Sequence, residues 1–319
     1  MLSIEVERWE MPVKVLVCDP VDKEGLEKLR QEGFEVDVKP SITSEELERT
    51  VSGYDVLVVR SRTRVTRRMV ELGKKLRVIG RAGTGLDNID LEAANSFGVT
   101  VLNTAEALAD SVAELTIGLM FALTRRIAFA DTAIKDGNWL KRELEGSLLK
   151  GKTLGLIGLG NIGVRVAKLA KAIGMRILVT KRTPPSPETL EALEAQFVPL
   201  QDLLRRSDIV SVHVPLTPQT RRMISRKEIG LMKEGAFLVN TSRGGIVDED
   251  ALLDALKSNR LGGAGLDVYE SEPPRNLELV KLTNMVCTPH IGAQTKEAQK
   301  AASILLAEKI IQFFRDQPA

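Results

Sequence analysis

The 319-residue sequence predicts an α/β protein made of two doubly wound, parallel-sheet domains of Rossmann-like type. Three observations carry this. Short β-branched runs alternate twice with charged, helix-periodic segments, the pattern of βαβ units feeding a parallel sheet. A glycine-rich turn, Gly158-x-Gly160-x-x-Gly163, opens the second alternation directly after an apolar strand. The length also exceeds what one hydrophobic core organises, so two domains are expected.

In the first alternation "VKVLVC" (13–18), "EVDV" (35–38), "DVLVV" (55–59), "LRVIG" (76–80) and "VTVL" (99–102) read as short buried strands. Segments such as "DKEGLEKLRQEG" and "SEELERTVSG" supply the helices between them. Residues 1–11 read as a frayed extension; the acids and arginine among their apolar residues exclude a signal peptide. Residues 106–129 break the rhythm as one long helix, apolar on most faces, to be buried between domains or between subunits. The second alternation starts at "KTLGLIGLGNIG" (152–163). Its later strands are "RILVT" (176–180), "IVSVHV" (209–214), "AFLVN" (236–240), "GAGLDVY" (263–269) and "MVCT" (285–288). From Ala293 a final amphipathic helix runs to about Phe314 and is expected to cross back to the first domain. The expected division is a substrate-binding domain of residues 1–104 with 291–319, and a dinucleotide-binding domain of residues 105–290.

The apolar share of 43% is that of an ordinary globular protein. Lys+Arg 45 against Asp+Glu 43 leaves a net charge of +2, which argues against nucleic-acid or membrane-surface partners. Cys18 and Cys287 stand far apart, with no Cys-x-x-Cys or Cys/His cluster, so neither a disulfide framework nor a metal site is expected. No run approaches the roughly 18–20 apolar residues of a bilayer span, and a reducing cytosol is the expected compartment.

The glycine turn is a weak signal alone and a strong one with a strand before it and a helix after it. Gly158 permits the tight turn, Gly160 lets a pyrophosphate approach the backbone, and Gly163 lets helix and strand pack closely. The helix start at Asn161 and Ile162 then offers its amides to the phosphates. The next strand should end in an acid that holds the ribose hydroxyls. It ends instead in Lys181-Arg182, eighteen residues past Gly163. Cations there invert the preference toward a 2′-phosphate, so the cofactor is NAD or NADP with a lean to NADP; the competing reading is a solvated basic turn.

Ligands of an open parallel sheet sit beyond the carboxyl ends of its strands. Arg243 follows "AFLVN", Glu272 follows "GAGLDVY", and His290 follows "MVCT", so all three can converge on one crevice. Oxidising a secondary alcohol needs a hydride acceptor and a base for the hydroxyl proton. Histidine titrates near working pH, and a carboxylate on its other nitrogen fixes the tautomer. Arginine offers a planar fork of donors to a carboxylate or keto oxygen. Help of this acid–base kind is worth about 10²–10⁴ in rate. His213, inside "SVHVPLTP", is the competing base and reads as a strand-end residue near the cofactor.

At this point the residues resemble a known family. "GRAGTGLDNID" (80–90), "GLIGLGNIG" (155–163), "HVPLTPQT" (213–220), "NTSRGGIVDEDAL" (240–252), "GAGLDVYESEPP" (263–274) and "TPHIGAQT" (288–295) are similar to segments of the D-2-hydroxyacid dehydrogenases, from about residue 13 onward. The resemblance implies two α/β domains with the active site in the cleft between them, and it sets Arg243, Glu272 and His290 on the catalytic arginine, acid and histidine. It also adds His213, Pro215, Thr241, Ser242, Asp267 and Gly292 to the cofactor contacts. Formate dehydrogenases of the family carry an amide at the acid position, so Glu272 argues against that branch.

Within the family, "VVRSRTRVT" (58–66) and "GNWLKRELEGSLLKGKTLG" (137–155) most resemble the phosphoglycerate dehydrogenase branch. Arg60, Ser61, Arg62 and Lys141 would then meet a substrate phosphate, and Gly83, Thr84 and Gly85 would offer amides to its carboxylate. A solvated basic face is the alternative for "RSRTRVTRR". The regulatory C-terminal domain of longer members, and serine feedback through it, are not expected. Lys181-Arg182 is similar instead to NADPH-linked glyoxylate/hydroxypyruvate reductases, the second expectation; a dinucleotide-sensing corepressor is the third. The long apolar helix and the likeness together imply a homodimer.

Overall fold

The computed structural model describes residues 12–316, and the extension expected over residues 1–11 lies outside them. The chain divides into two compact units: one runs up to Leu108 and resumes at Ala293, the other is Ala109–Gly292. The divisions thus fall at 108/109 and 292/293, a few residues from those expected.

Unit 1 holds β1 (Lys14–Val17), α1 (Lys23–Gln31), β2 (Glu35–Val38), α2 (Ser44–Thr50), β3 (Val56–Val59), α3 (Arg67–Leu72), β4 (Val78–Arg81), α4 (Leu91–Ser96) and β5 (Thr100–Asn103). All pairs are parallel, in the order β2-β1-β3-β4-β5. Helices start where Asp22, Thr43, Thr66 and Asp90 turn a side-chain oxygen to a first-turn amide. The closing helix, Lys296–Arg315, belongs to this unit. Its Leu306, Ile310 and Phe314 seal one sheet face with Val15, Val17, Val56 and Val78. Arg77 caps the buried Phe314 ring, 4.5 Å from its centroid.

Unit 2 begins with α5 (Ala109–Thr124) and α6 (Ile127–Lys135). It continues with β6 (Thr153–Ile157), α7 (Asn161–Ile173), β7 (Arg176–Thr180), α8 (Pro187–Leu193), β8 (Ala195–Phe197), α9 (Leu200–Arg206), β9 (Ile209–Val212), α10 (Arg226–Leu231), β10 (Ala236–Asn240), α11 (Glu249–Lys257), β11 (Leu261–Leu266), α12 (Leu277–Val280) and β12 (Met285–Cys287). The parallel sheet runs β12-β11-β10-β9-β6-β7-β8, which is the dinucleotide-fold order with one strand added at an edge. The order reverses between β6 and β9, so the ligand crevice of this unit lies there. Strand β8 is a three-residue edge strand, too short and too polar to stand out in the sequence.

The helix expected over 106–129 is three pieces. Ala105–Leu108 is a 3₁₀ turn, α5 ends at Thr124, and Arg126 takes a left-handed φ of 50° before α6. Ten of the sixteen residues of α5 are buried, and the helix packs on α7, β10, β11 and β12. Its apolar faces are therefore mostly covered by its own unit, with Phe121 left exposed. By length and composition Ala105–Thr124 would reach across a bilayer, contrary to expectation, with mean hydropathy 1.5. Most of that window is buried inside the protein, as in a core helix.

Helix α1 meets the closing helix at Gly25, where an ideal Cβ would lie 2.3 Å from the Ser303 carbonyl oxygen. Gly25→Ala should cost about 1–3 kcal/mol through overpacking. A lower urea midpoint at unchanged m is the expected reading; an unchanged midpoint would show that the helices can separate freely.

Candidate active site

The cradle is built from a fully buried strand. All five residues of β6 are buried, and the chain turns at Gly158 with φ 101°. A Cβ there would lie 2.4 Å from the His213 carbonyl oxygen, and one at Gly163 would lie 2.5 Å from the Gly158 oxygen. Gly160 faces open space and caps α7 with no side-chain hydrogen bond. The first-turn amides of α7, at Asn161 and Ile162, therefore look into an opening that side chains would fill. That is what a pyrophosphate needs, and these residues fit a dinucleotide. Lys181 and Arg182 follow β7, exposed, with no ion-pair partner among the described residues.

On the far side of the reversal, His213 follows β9, and its Nε2 lies 2.9 Å from Ser211 Oγ. Its Nδ1 is buried without a partner among the described residues, and burial pushes the imidazole down to about 4, so the ring is neutral near pH 7. A neutral ring sealed at one nitrogen is poorly suited to take a substrate proton. Pro215 is exposed and its carbonyl accepts from Thr220 Oγ1 at 2.6 Å.

The strand ends carrying Arg243, Glu272 and His290 are neighbours, since β10, β11 and β12 lie side by side. After β10, Asn240 folds the turn: its Oδ1 accepts from the Ser242 amide and hydroxyl, and its Nδ2 donates to the Arg243 carbonyl. Thr241 is buried with its hydroxyl 2.8 Å from that of Thr116 on α5. At Gly244 any Cβ would meet the Tyr269 carbonyl oxygen at 1.7 Å, so the arginine turn presses directly on the segment leading to Glu272.

The histidine loop is folded around Asp267, which is 1% exposed. Its Oδ1 accepts from Thr288 Oγ1 at 2.6 Å and from the Ile291 amide at 2.8 Å; Oδ2 accepts from the Gly292 amide at 2.9 Å. The Asp267 carbonyl takes the His290 amide at 2.9 Å. These bonds hold His290 at a left-handed φ of 53°. Gly292 is buried, with its carbonyl accepting from Ser111 Oγ of α5 at 2.6 Å.

His290, thus presented, has Nδ1 2.8 Å from Glu272 Oε2. Burial pushes the Glu272 carboxyl up. The His290 hydrogen bond and charge, the Tyr269 amide and the Arg243 charge together outweigh it and hold the carboxyl below its ordinary value. The acid is then ionised at working pH, orients the ring through Nδ1 and leaves Nε2 with no partner among the described residues. An oriented imidazole with a free Nε2 can take or give a proton.

In unit 1 the other expected residues also lie at strand ends. Arg60 and Ser61 follow β3, while Gly83, Thr84 and Gly85 follow β4. Two of these expectations need correction. Arg62, although its side chain is 49% exposed, spends its donors on buried Asp19 and on the Cys18 and Ile42 carbonyls, so it braces the turn. The Gly83 amide donates to Thr104 Oγ1 at 2.9 Å; only Thr84 and Gly85 keep amides without a partner among the described residues. Lys141 is exposed in a segment of unit 2 without regular structure. Asn240, Asp19 and Asn88, whose side chains fold these turns, were not singled out from the sequence; Asn240 and Asp19 stand where a strand gives way to a turn, a place Asn and Asp also occupy on the surface, and Asn88 lies well past β4.

A doubly wound sheet with an open glycine cradle and a histidine–carboxylate pair at adjoining strand ends defines a nicotinamide-dependent oxidoreductase. Residues 117–292 match the model of the D-isomer specific 2-hydroxyacid dehydrogenase NAD-binding domain, and the chain belongs to that family of oxidoreductases acting on CH–OH groups. It is 47% identical over 308 residues to D-3-phosphoglycerate dehydrogenase of Methanocaldococcus jannaschii, covering 96% of this chain but 58% of that protein. It is 49% identical over 301 residues to hydroxypyruvate reductase of Thermotoga maritima, covering 93% and 97% of the two chains. A glyoxylate reductase structure from Paecilomyes thermophila superposes with TM-score 0.87 at 31% identity, over 94% of each chain.

His213 supplies a pH test. The folded ring takes its proton near pH 4 and the unfolded chain near 6.5, so acid favours the unfolded chain throughout that interval. From pH 7 to pH 5 the protein should lose about 2 kcal/mol of stability through this ring. Urea titrations of His213→Gln should lack that component; an identical pH slope in the variant would mean the ring is not held neutral.

Proposed function

We propose that the chain interconverts a D-2-hydroxy acid and its 2-keto acid, with His290 as acid–base, Glu272 as its orienting carboxylate and Arg243 as the donor to the substrate carboxylate or keto oxygen. The observation that carries this is the 2.8 Å contact between His290 Nδ1 and Glu272 on a loop folded by Asp267. When bound, the nicotinamide cofactor supplies the hydride exchange. In oxidation His290 Nε2 removes the hydroxyl proton as the C2 hydrogen leaves with its electron pair; in reduction it returns that proton to the carbonyl oxygen. The glycine cradle of Gly158, Gly160, Asn161, Ile162 and Gly163 holds the pyrophosphate, with His213, Pro215, Thr241, Ser242, Asp267 and Gly292 lining or shaping the remaining contacts.

The first substrate reading is 3-phosphoglycerate and 3-phosphohydroxypyruvate, with Arg60, Ser61 and Lys141 toward the phosphate and Thr84 and Gly85 toward the carboxylate. The second is hydroxypyruvate or glyoxylate with NADPH. It is favoured by Lys181 and Arg182, which have no ion-pair partner among the described residues and would accept a 2′-phosphate. The reducing cytosol remains the proposed compartment, in keeping with free Cys18 and Cys287. For the proposed homodimer the support now comes from side chains beyond α5: Ile127, Ile134, Trp139 and Leu148 are exposed, Trp139 at 78%.

Cofactor absorbance at 340 nm with a panel of 2-hydroxy and 2-keto acids tests the reaction. Turnover of none would leave a dinucleotide-sensing binding protein. His290→Ala should lower kcat by about 10²–10⁴ with little loss of cofactor affinity; if His213→Ala is the inactive variant, the base is misassigned. With either substrate, the KM for NADPH should lie below that for NADH, and a large NADH preference would end the NADP reading.

A further inference from the structure

The order β2-β1-β3-β4-β5 gives unit 1 a reversal of its own, between β1 and β3, and ligands of such sheets collect at the carboxyl side of that point. Asp19 follows β1 there, and the turn Arg60-Ser61-Arg62-Thr63 follows β3. Asp19 is 1% exposed and accepts from the Arg60 amide (2.5 Å), the Thr63 amide (3.2 Å), Thr63 Oγ1 (2.9 Å) and Arg62 Nε (2.9 Å). A carboxylate has about four acceptor sites, so this one is saturated and touches no ligand. From the other side Asn88 Nδ2 donates to the Arg60 carbonyl at 2.7 Å and the Thr63 carbonyl at 2.6 Å. The turn is thus held by its amides and by its carbonyls.

The result separates two adjacent cations. Arg62 has Nε on Asp19, one terminal nitrogen on the Ile42 carbonyl, and the other on the Cys18 carbonyl and Thr63 Oγ1. The Arg60 guanidinium donates only to the Pro20 carbonyl, at 3.1 Å, and Ser61 is exposed with no partner among the described residues. One arginine closes the turn, and the other, half-buried, keeps most of its donors open among the described residues.

We propose that Asp19 and Asn88 are positioning residues that fix this turn so that the Arg60 guanidinium meets the anionic group a substrate carries beyond C2. The inference rests on the phosphorylated-acid reading. Glyoxylate has no atom beyond C2, so it leaves the turn nothing to hold and serves as the internal reference.

The test measures kcat and KM of the full chain for 3-phosphohydroxypyruvate and glyoxylate with Asn88→Ala, Arg60→Ala and the double variant. Asn88→Ala should lower kcat/KM for the phosphorylated acid about tenfold relative to glyoxylate, chiefly through KM. Arg60→Ala should do at least as much, and the double variant should be no worse than Arg60→Ala alone. Asp19→Asn should act in the same direction; where it does not fold, Asn88→Ala decides. A loss in Arg60→Ala without one in Asn88→Ala sinks this inference alone, as does an equal fall for both acids. If the wild type does not turn over the phosphorylated acid, or Arg60→Ala changes nothing, the substrate reading fails and the inference falls with it.

Discussion

Asp267 is the carboxylate on which the geometry of the His290–Glu272 pair depends. It sits at the end of β11, sealed from solvent, and folds the next strand's exit loop around itself with three accepted hydrogen bonds and a fourth through its carbonyl. A buried charge is costly unless every lone pair finds a donor, so the loop cannot leave without exposing that cost. The left-handed backbone at His290 survives because its neighbours' amides are held. With the loop rigid, the ring needs only one further bond, to Glu272, to have a single orientation.

Unit 1 uses the same device for a different purpose. Asp19, also at a strand end and also sealed, saturates itself on the turn that follows the neighbouring strand. In each unit a sealed carboxylate organises a turn that presents a side chain of the proposed site: His290 in unit 2, Arg60 in unit 1. Parallel sheets bring loops to one edge but leave them to find their own shape. A saturated aspartate at that edge gives the loop one shape without occupying the space above it.

The architecture was legible because it is written in periodicity. The strands at 35–38, 176–180 and 236–240 have the bounds read from the sequence, and the others differ by a few residues at their ends. The break at Arg126 was not legible, since two consecutive arginines after an apolar helix carry no Pro or Gly signal, and the left-handed residue is imposed by packing. Strand β8 was missed because an edge strand need not be apolar. The residues of the site were legible where chemistry is rare in the chain: there are two histidines, and both follow strands. The aspartates and asparagines that fold the loops were not, because nothing in composition separates a buried acceptor from an exposed turn residue.

The same point decides how the basic residues are to be read. In "RSRTRVTRR" the cations look equivalent as a string, and a basic run by itself says little about an anionic ligand. Folding makes them unequal: Arg62 goes to Asp19, and Arg68 pairs with Glu48 on the surface, while Arg60 has no carboxylate partner. Lys181 and Arg182 are left in the same condition at the ribose end of the cradle, beside a strand that ends in no acid. A cation without a carboxylate partner keeps its field for whatever anion arrives, and the attraction is strongest where burial excludes water, as it partly does at Arg60. On the proposed reading, a distal phosphate at one end and a 2′-phosphate at the other would be selected by which acids are missing nearby. Placing a carboxylate within reach of either cation would weaken anion binding there while leaving the histidine–glutamate pair intact.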